Sequence, residues 1–106
     1  MSKLKEAQAF FAGVHTITTV ENTYHPVLNG TRRRITRVGK SFFDAELLDD
    51  SSDGRNKAGQ DCRGVIPTRA GDVISISETE VTFRLGRPRT RLAEHHVTYR
   101  KADRER

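Results

Sequence analysis

The sequence predicts a mainly β domain: a small barrel or a strongly bent antiparallel sheet of five to seven strands, with a short N-terminal α-helix. Three observations support this fold class. Residues 14–20 carry mostly β-branched side chains with a period of two, which is typical of a half-exposed strand. Asn29-Gly30 is a strong hairpin signal. Residues 35–47 and 73–85 share one hairpin-like pattern, and similar hairpins in a small chain indicate a meander that closes into a barrel.

The N-terminal helix is predicted from its cap and its apolar stripe. Ser2 is a favourable N-cap, and Leu4, Ala7 and Phe11 occupy positions i, i+3 and i+7 on one helix face. Gly13 is well placed to end the helix. A helix this short persists only when its apolar stripe is packed, so we expect it to lie against the sheet.

The next elements are predicted from turn residues. The Asn29-Gly30 pair is expected to join an arm at Tyr24–Leu28 to a strand at Thr31–Val38. Pro26 has no N–H to donate to a neighbouring strand, so the first arm should be short or lie at a sheet edge.

Two later segments, residues 35–47 and 73–85, form a weak internal repeat, which is interpreted as two similar hairpins that arose by duplication or by convergence. Each reads as an apolar strand, four turn residues, and then three apolar residues at alternate positions, which predicts one buried face. The alternating residues are Phe43, Ala45 and Leu47 in the first copy and Val81, Phe83 and Leu85 in the second.

The remaining segments are interpreted from their composition. Polar, acidic segments of this length are usually functional or disordered, and charged chain ends usually fray. The predicted elements are a flexible acidic loop at 48–63, a brief strand at 62–67, a turn or edge at 84–91, a last strand at 92–100 and a frayed tail at 101–106. In the last strand, His95, Val97 and Tyr99 are expected to share one face.

Composition indicates a single domain spanning residues 1–106. The apolar stretches are far shorter than the ~18–20 residues that span a bilayer, so no membrane contact is expected. Cys62 is the single cysteine, which excludes an internal disulfide and a thiolate metal cluster. No leader sequence opens the chain, so we expect a cytoplasmic location. No glycine-rich phosphate loop or nucleophile elbow is present, and neither a cofactor nor a metal is expected.

The charge is distributed unevenly along the chain, whose formal net charge is +5. Residues 32–40 hold five basic and no acidic side chains, whereas residues 41–61 hold six acidic and two basic ones. Residues 81–106 again carry an excess of five positive charges. The sequence therefore predicts two basic regions on either side of an acidic loop.

The two basic regions are expected to form one polyanion-binding surface. If the two hairpins pack side by side, their arginines form a patch that neutralises phosphates and binds in a salt-dependent way. Alternate arginines at 87, 89 and 91 point to one side of an extended chain, and a nearby tyrosine offers a stacking platform. We therefore expect a non-enzymatic binding module for nucleic acid. The expected contact residues are Arg32, Arg33, Arg34, Arg37, Lys40, Arg84, Arg87, Arg89, Arg91, Tyr24 and Tyr99.

Two other functions are left open by the sequence. One is a protein-interaction module, for example a homodimer formed through an exposed strand edge. The other is a small ribonuclease, with His95, His96 or Glu94 as acid or base and Arg89 or Arg91 stabilising the charged phosphorane. The segment from His95 to Arg100 looks like the closing strand of ribosome-dependent toxin nucleases, which usually open with two helices where one is predicted here.

Residues 31–47, TRRRITRVGKSFFDAEL, resemble a recurrent phrase in small uncharacterised actinobacterial and actinobacteriophage proteins, and residues 72–100 resemble that family less closely. In that family a strand turns tightly into a second strand of alternating apolar residues within a small β-barrel. The resemblance implies a barrel, a GC-rich source and a mobile-element context. It transfers no catalytic residue to this chain.

Overall fold

Seven antiparallel strands and one α-helix make up the structure, a computed structural model that describes residues 2–13, 16–87 and 89–102. None of the described helices is long and apolar enough to cross a bilayer. The strand start predicted at Val14 lies outside the described residues, as do residues 103–106 of the tail predicted to fray at 101–106. Lys101 of that tail is instead the last residue of a strand. The elements are α1 (Lys3–Phe11), β1 (Thr16–Asn22), β2 (Arg32–Val38), β3 (Phe42–Leu47), β4 (Gly64–Val65), β5 (Val73–Ile76), β6 (Glu80–Arg84) and β7 (His96–Lys101), with 3₁₀ helices at Pro26–Leu28, Ala70–Asp72 and Arg91–Glu94.

The strands form one antiparallel sheet in the order β4-β3-β2-β1-β7-β6-β5, and this sheet is strongly bent. The ring of Phe11 in α1 lies 5.4 Å from the ring of Phe43 on β3 and 6.2 Å from that of Phe83 on β6. Those strands are four steps apart, which is roughly 19 Å in a flat sheet. One ring reaches both strands because the sheet curls around the helix, so the predicted bent sheet is confirmed.

The barrel alternative is wrong, because the edge strands β4 and β5 do not pair with each other. Helix α1 packs against β5, and its Gln8 side chain donates a hydrogen bond to the carbonyl of Pro67, just after β4. The helix therefore lies where closure of the sheet would bring the two edges together. The N-terminal end of the helix is capped as predicted, because Ser2 accepts a hydrogen bond from the Lys5 N–H. The apolar side chains of Ala7, Phe10 and Phe11 are buried.

The two repeated segments fold as the β2–β3 and β5–β6 hairpins, as the sequence predicted. Alternate residues of each strand face the helix, and the others face solvent or are half-buried. Each hairpin has one register shift, between Ile35 and Arg37 in the first and between Val73 and Ser75 in the second. The buried residues on the inner face are Ile17, Thr19, Arg33, Ile35, Phe43, Ala45, Leu47, Val73, Val81, Phe83, Val97 and Tyr99.

The strand predicted at Tyr24–Leu28 is wrong, because residues 26–28 form a 3₁₀ helix with Pro26 in its first turn. The side-chain oxygen of Asn22 accepts hydrogen bonds from the N–H groups of Tyr24 and His25 and turns the chain out of β1. Strand β2 consequently pairs with β1 itself.

The segment at 84–91 contains a turn, as predicted, but the start of the last strand differs from the prediction. The N–H and the hydroxyl of Thr90 both donate to the carbonyl of Arg87, which closes a turn, and residues 91–94 form a 3₁₀ helix. The last strand therefore begins at His96 rather than at residue 92. Val97 and Tyr99 face inward, as predicted.

The acidic segment at 48–63 is held by hydrogen bonds to its own backbone and to the β1–β2 connection. The N–H of Ser51 donates to the carbonyl of Asn56 at 2.9 Å, and that of Ser52 to the carbonyl of Val27 at 2.9 Å. The Ser51 side chain is buried. This segment thus folds against the outer edge of the first hairpin.

Candidate functional site

The exposed arginines of β2 are paired with carboxylates of the protein. Arg32 binds Asp49 through two hydrogen bonds, from Nε at 3.0 Å and from Nη2 at 2.9 Å. The other two pairs follow from the strand register, which places Arg34 opposite Glu46 and Arg37 opposite Asp44. These exposed β2 arginines are Arg32, Arg34 and Arg37.

This pairing lowers the affinity of the carboxylates for protons. Hydrogen bonds from Arg37 and then from Arg63 hold the pKa of Asp44 below its ordinary value. A hydrogen bond from Arg32 does the same for the pKa of Asp49. Exposed pairs of this kind contribute little to stability, because solvent screens them. Their main consequence is that each exposed arginine of the first basic region is paired, which leaves Lys40 in the β2–β3 turn as its exposed basic residue without an ion pair to a described residue.

Arg33 and Tyr99 do not belong to the surface set, which corrects the prediction for both. Arg33 is 1% exposed and Tyr99 is 2% exposed, so neither reaches a large external ligand. Arg33 shares the parity of Ile35, whose side chain is directed into the core. Burial raises the pKa of the Tyr99 hydroxyl, although the nearby Arg33 charge partly opposes that change.

The guanidinium of Arg33 lies in the core without a carboxylate partner among the described residues. It donates to the Cys62 carbonyl at 3.3 Å, to the Thr19 hydroxyl at 3.2 Å and to the Tyr99 hydroxyl at 3.4 Å. The central carbon of the Arg33 guanidinium lies 5.6 Å from the centre of the Phe43 ring. Its Nε makes no hydrogen bond with the described protein.

Burying an arginine charge costs several kcal/mol even after the protein relaxes, and arginine stays protonated in proteins. The three hydrogen bonds are longer than the usual ~2.9 Å, and each cation–π contact contributes roughly 0.5–2 kcal/mol. The neutral groups around Arg33 therefore offset the cost only in part. An excess positive potential is left at this point of the core.

Four arginines of the second basic region present the opposite case, although Arg100 of that region pairs with Glu80. Arg84, Arg87, Arg89 and Arg91 form no ion pair with any residue in the described part of the chain. The last three are exposed and Arg84 is half-buried at the end of β6. We call residues 84–91 the arginine loop. It carries four uncompensated positive charges within one turn and one strand end.

Three rings lie beside the arginine loop. Tyr24 is 48% exposed, and its ring centre lies 4.4 Å from that of His25 and 5.3 Å from that of His95. The hydroxyl of Thr23 contacts Nδ1 of His95 at 3.1 Å, and the N–H of Leu85 donates to the His95 carbonyl at 2.9 Å. These contacts bring the β1–β2 connection to the arginine loop. The sequence singled out Tyr24, but it gave no sign that His25 and His95 would join it.

The two basic regions are not side by side. In the sheet, β1 and β7 lie between the first hairpin and β6, so the expected single patch built from neighbouring hairpins is wrong. This order follows from the long-range pairing of β1 with β7, which lies at the far end of the chain. The paired arginines of β2 and the arginine loop are therefore separate features.

His95 and His96 are held by different partners. His95 Nδ1 contacts Thr23, whereas His96 Nε2 contacts Glu21 at 2.9 Å on the outer face. Successive residues of extended backbone direct their side chains to opposite sides, so the two rings do not flank one reacting group. Across the described ranges 2–13, 16–87 and 89–102, no cluster of three or more His, Cys, Asp or Glu side chains is placed to hold a metal ion.

A cavity of about 210 Å³ opens beside Arg33. Its lining includes the polar side chains of Arg33, Arg63, Tyr99 and Asn22, together with leucines and a valine. Tyr24 and His25 lie at the same cavity, so it adjoins the ring cluster next to the arginine loop. The apolar residues of the lining are Leu28, Val65, Leu85 and Leu92.

Comparison with protein-family models, curated proteins and solved structures finds no match to the chain. The resemblance of residues 31–47 to actinobacterial proteins therefore stays a prediction.

Proposed function

We propose that the protein is a non-enzymatic module that binds single-stranded nucleic acid through the arginine loop and Tyr24. One observation supports this most: the loop arginines have no carboxylate partner among the described residues, whereas the exposed arginines of β2 have one each. Unpaired guanidinium groups bind phosphate oxygens through charge-assisted hydrogen bonds. The proposal includes a cytoplasmic location, where nucleic acid is accessible.

Tyr24 supports a single-stranded rather than a double-stranded ligand. An exposed aromatic ring stacks on an unpaired base, and such stacking contributes about 1–3 kcal/mol per base without sequence preference. Nearly half of the Tyr24 surface is open to solvent, and the ring is braced by His25 and His95. A braced ring loses little conformational freedom on binding.

The test is fluorescence anisotropy with a labelled oligothymidine of about 20 nucleotides. Four phosphate contacts on a single strand give a slope of about −3 for log affinity against log salt. Affinity should then fall by about 50-fold between about 50 and 200 mM salt. The double variant Arg87→Gln/Arg91→Gln should lower the affinity about tenfold, and Tyr24→Ala should lower it by a further 5-fold or more without changing the slope.

The matched control is Arg34→Gln/Arg37→Gln, which removes two arginines from the paired face. If the arginine loop binds the strand, this control keeps the affinity within about twofold. An equal loss in both double variants would mean that only overall charge matters, and that result overturns the proposal. Absence of binding at about 50 mM salt overturns it as well.

A homodimer through a sheet edge is favoured by nothing specific in the geometry. The edge strands have two residues in β4 and four in β5, and α1 packs against β5. Short or covered edge strands are the form in which natural sheets avoid pairing with one another.

A further inference from the structure

The cavity beside Arg33 combines a buried charge with two side chains, Asn22 and Tyr99, whose oxygen atoms already accept hydrogen bonds from the protein. Arg33 lines the cavity, and its Nε has no hydrogen-bond partner in the described protein. The guanidinium carries five N–H donors and no acceptor. A buried donor of this kind is matched by an anionic acceptor, because the neutral groups around it compensate its charge only in part.

Asn22 supplies a second set of donors at the same cavity. Its side-chain oxygen accepts from the N–H groups of Tyr24 and His25, which fixes the orientation of the amide. The NH₂ group is then directed away from those backbone donors and makes no hydrogen bond with the described residues. Asn22 is 6% exposed, so its amide is part of the cavity wall rather than of the outer surface.

Tyr99 supplies a third donor. Its hydroxyl oxygen accepts a hydrogen bond from Arg33, so the hydroxyl hydrogen is left to point elsewhere. That hydrogen is retained at neutral pH, because burial makes the charged phenolate unfavourable. Arg33, Asn22 and Tyr99 therefore all present hydrogen atoms at the cavity, which Tyr24, His25 and Arg63 also line. A site of this composition favours an anion and disfavours a cation.

The apolar part of the lining limits the kind of anion. Leu28, Leu85 and Leu92 form it together with Val65, and an inorganic ion would leave these side chains without a contact. A volume of about 210 Å³ holds roughly seven to ten non-hydrogen atoms, at ~20–30 Å³ for each. A ligand that contacts both the polar and the apolar residues of the lining has a compact apolar body and a single acidic group.

We propose that this cavity binds a small organic carboxylate, whose apolar body packs against Leu85 and Leu92 and whose carboxylate accepts hydrogen bonds from Arg33, Tyr99 and Asn22. This inference is independent of nucleic-acid binding at the arginine loop. The carboxylate completes the ion pair that the fold leaves open at Arg33, and no covalent step is involved.

The test is a titration of the full-length, ¹⁵N-labelled protein with benzoate, which has the size and chemistry of the site, followed by heteronuclear NMR. Benzoate should bind with a Kd of about 1 mM or tighter and shift the amide signals of Gly64, Leu85 and Leu92. Benzamide and benzylamine have similar shape without the negative charge, and each should bind at least tenfold more weakly. Inorganic phosphate, which lacks the apolar body, should also bind at least tenfold more weakly than benzoate.

Two variants test whether benzoate binds in the cavity beside Arg33. Tyr99→Phe keeps the ring and removes the hydroxyl donor, so benzoate affinity should fall about fivefold to tenfold. Arg33→Met should abolish binding while oligothymidine binding stays unchanged, and a circular dichroism spectrum checks that the variant is folded. If Arg33→Met does not fold, Tyr99→Phe carries the test alone. The proposal is overturned if benzoate does not bind, if benzamide binds equally well, or if either variant binds benzoate like the original chain.

Discussion

Arg33 donates a hydrogen bond to the hydroxyl of Tyr99 at 3.4 Å, and its guanidinium carbon lies 5.4 Å from the centre of the same ring. Both side chains are buried, and both project from the inner face of the sheet although β2 and β7 are separated by β1. A charged group has therefore been placed on an aromatic core without a counter-ion from the described residues. Such a position costs stability and is retained where the charge has a use.

Replacing Arg33 by Met and by Ala should show separately what its charge and its volume contribute to stability. Arg33→Met fills similar space without the charge, so its free energy of unfolding should equal that of the original chain or exceed it by up to about 3 kcal/mol. Arg33→Ala leaves a cavity next to Phe43 and Tyr99 and should be about 2–5 kcal/mol less stable than the Met variant. Urea unfolding followed by circular dichroism measures both. A Met variant as unstable as the Ala variant would show that the charge itself stabilises the core.

Stability should fall at acid pH because of Asp44 and Asp49. Arginine hydrogen bonds lower the pKa of both carboxyls in the folded chain, so the unfolded chain binds protons more readily than the folded one. The contribution of both pairs is therefore complete above the ordinary value of 3.8 and is lost as pH falls below it toward the folded-state pKa. Urea midpoints between pH 7 and pH 2.5 should show this loss. Asp44→Asn/Asp49→Asn should flatten the acid limb of that curve, and an unchanged limb would contradict the assignment.

Gly64 is expected to be intolerant of any side chain. A Cβ atom at this position would lie 2.1 Å from the ring of Phe43, which is itself fully buried against Phe11. Because the ring has nowhere to move, Gly64→Ala should lower the free energy of unfolding by about 1–3 kcal/mol or more. Gly71→Ala is the matched control, since a Cβ there meets nothing within 4 Å. The control should be neutral or slightly stabilising, by up to about 1 kcal/mol.

Residue parity accounts for what could be predicted of the sheet. Phe43 and Ala45 were placed correctly on the buried face because a strand buries alternate residues. The same rule contains the signal for Arg33, which shares the parity of Ile35, but the arginine-rich composition of residues 32–40 predicts a surface segment instead. Arg37 is an exception to the rule, because the register shift after Ile35 returns its side chain to the outer face, opposite Asp44. A bulge of this kind leaves no clear trace in one sequence.

Long-range pairing accounts for what could not be predicted of the candidate site. The cavity unites side chains from both ends of the chain, and the rings of Tyr24 and His95 meet because β1 and β7 are neighbours. The turn made by Asn22 depends on one side-chain oxygen with two backbone donors. Asn29-Gly30 correctly predicts a turn, but it does not show which strand comes before that turn. It therefore gives no indication of the earlier turn at Asn22.

Variants of Arg89 should show separately what backbone conformation and charge contribute in the arginine loop. It is the one non-glycine residue of the described chain with a positive φ, at 70°, a region that costs a side chain about 1–2 kcal/mol. Arg89→Gly removes that cost, while its greater freedom in the unfolded chain offsets part of the gain, so stability should be unchanged or rise by about 1 kcal/mol. Arg89→Ala removes the same charge but keeps the strained conformation, so it should be less stable than the Gly variant. Thermal unfolding of the three chains measures the difference.

Both Arg89 variants should bind oligothymidine equally, because they lose the same phosphate contact. The slope of log affinity against log salt should become shallower by about 0.7 in each. If the Gly variant binds much more weakly than the Ala variant, the backbone at residue 89 positions the loop and the charge is secondary. If neither variant changes the slope, Arg89 makes no phosphate contact, and the interface is confined to the arginines at 84, 87 and 91.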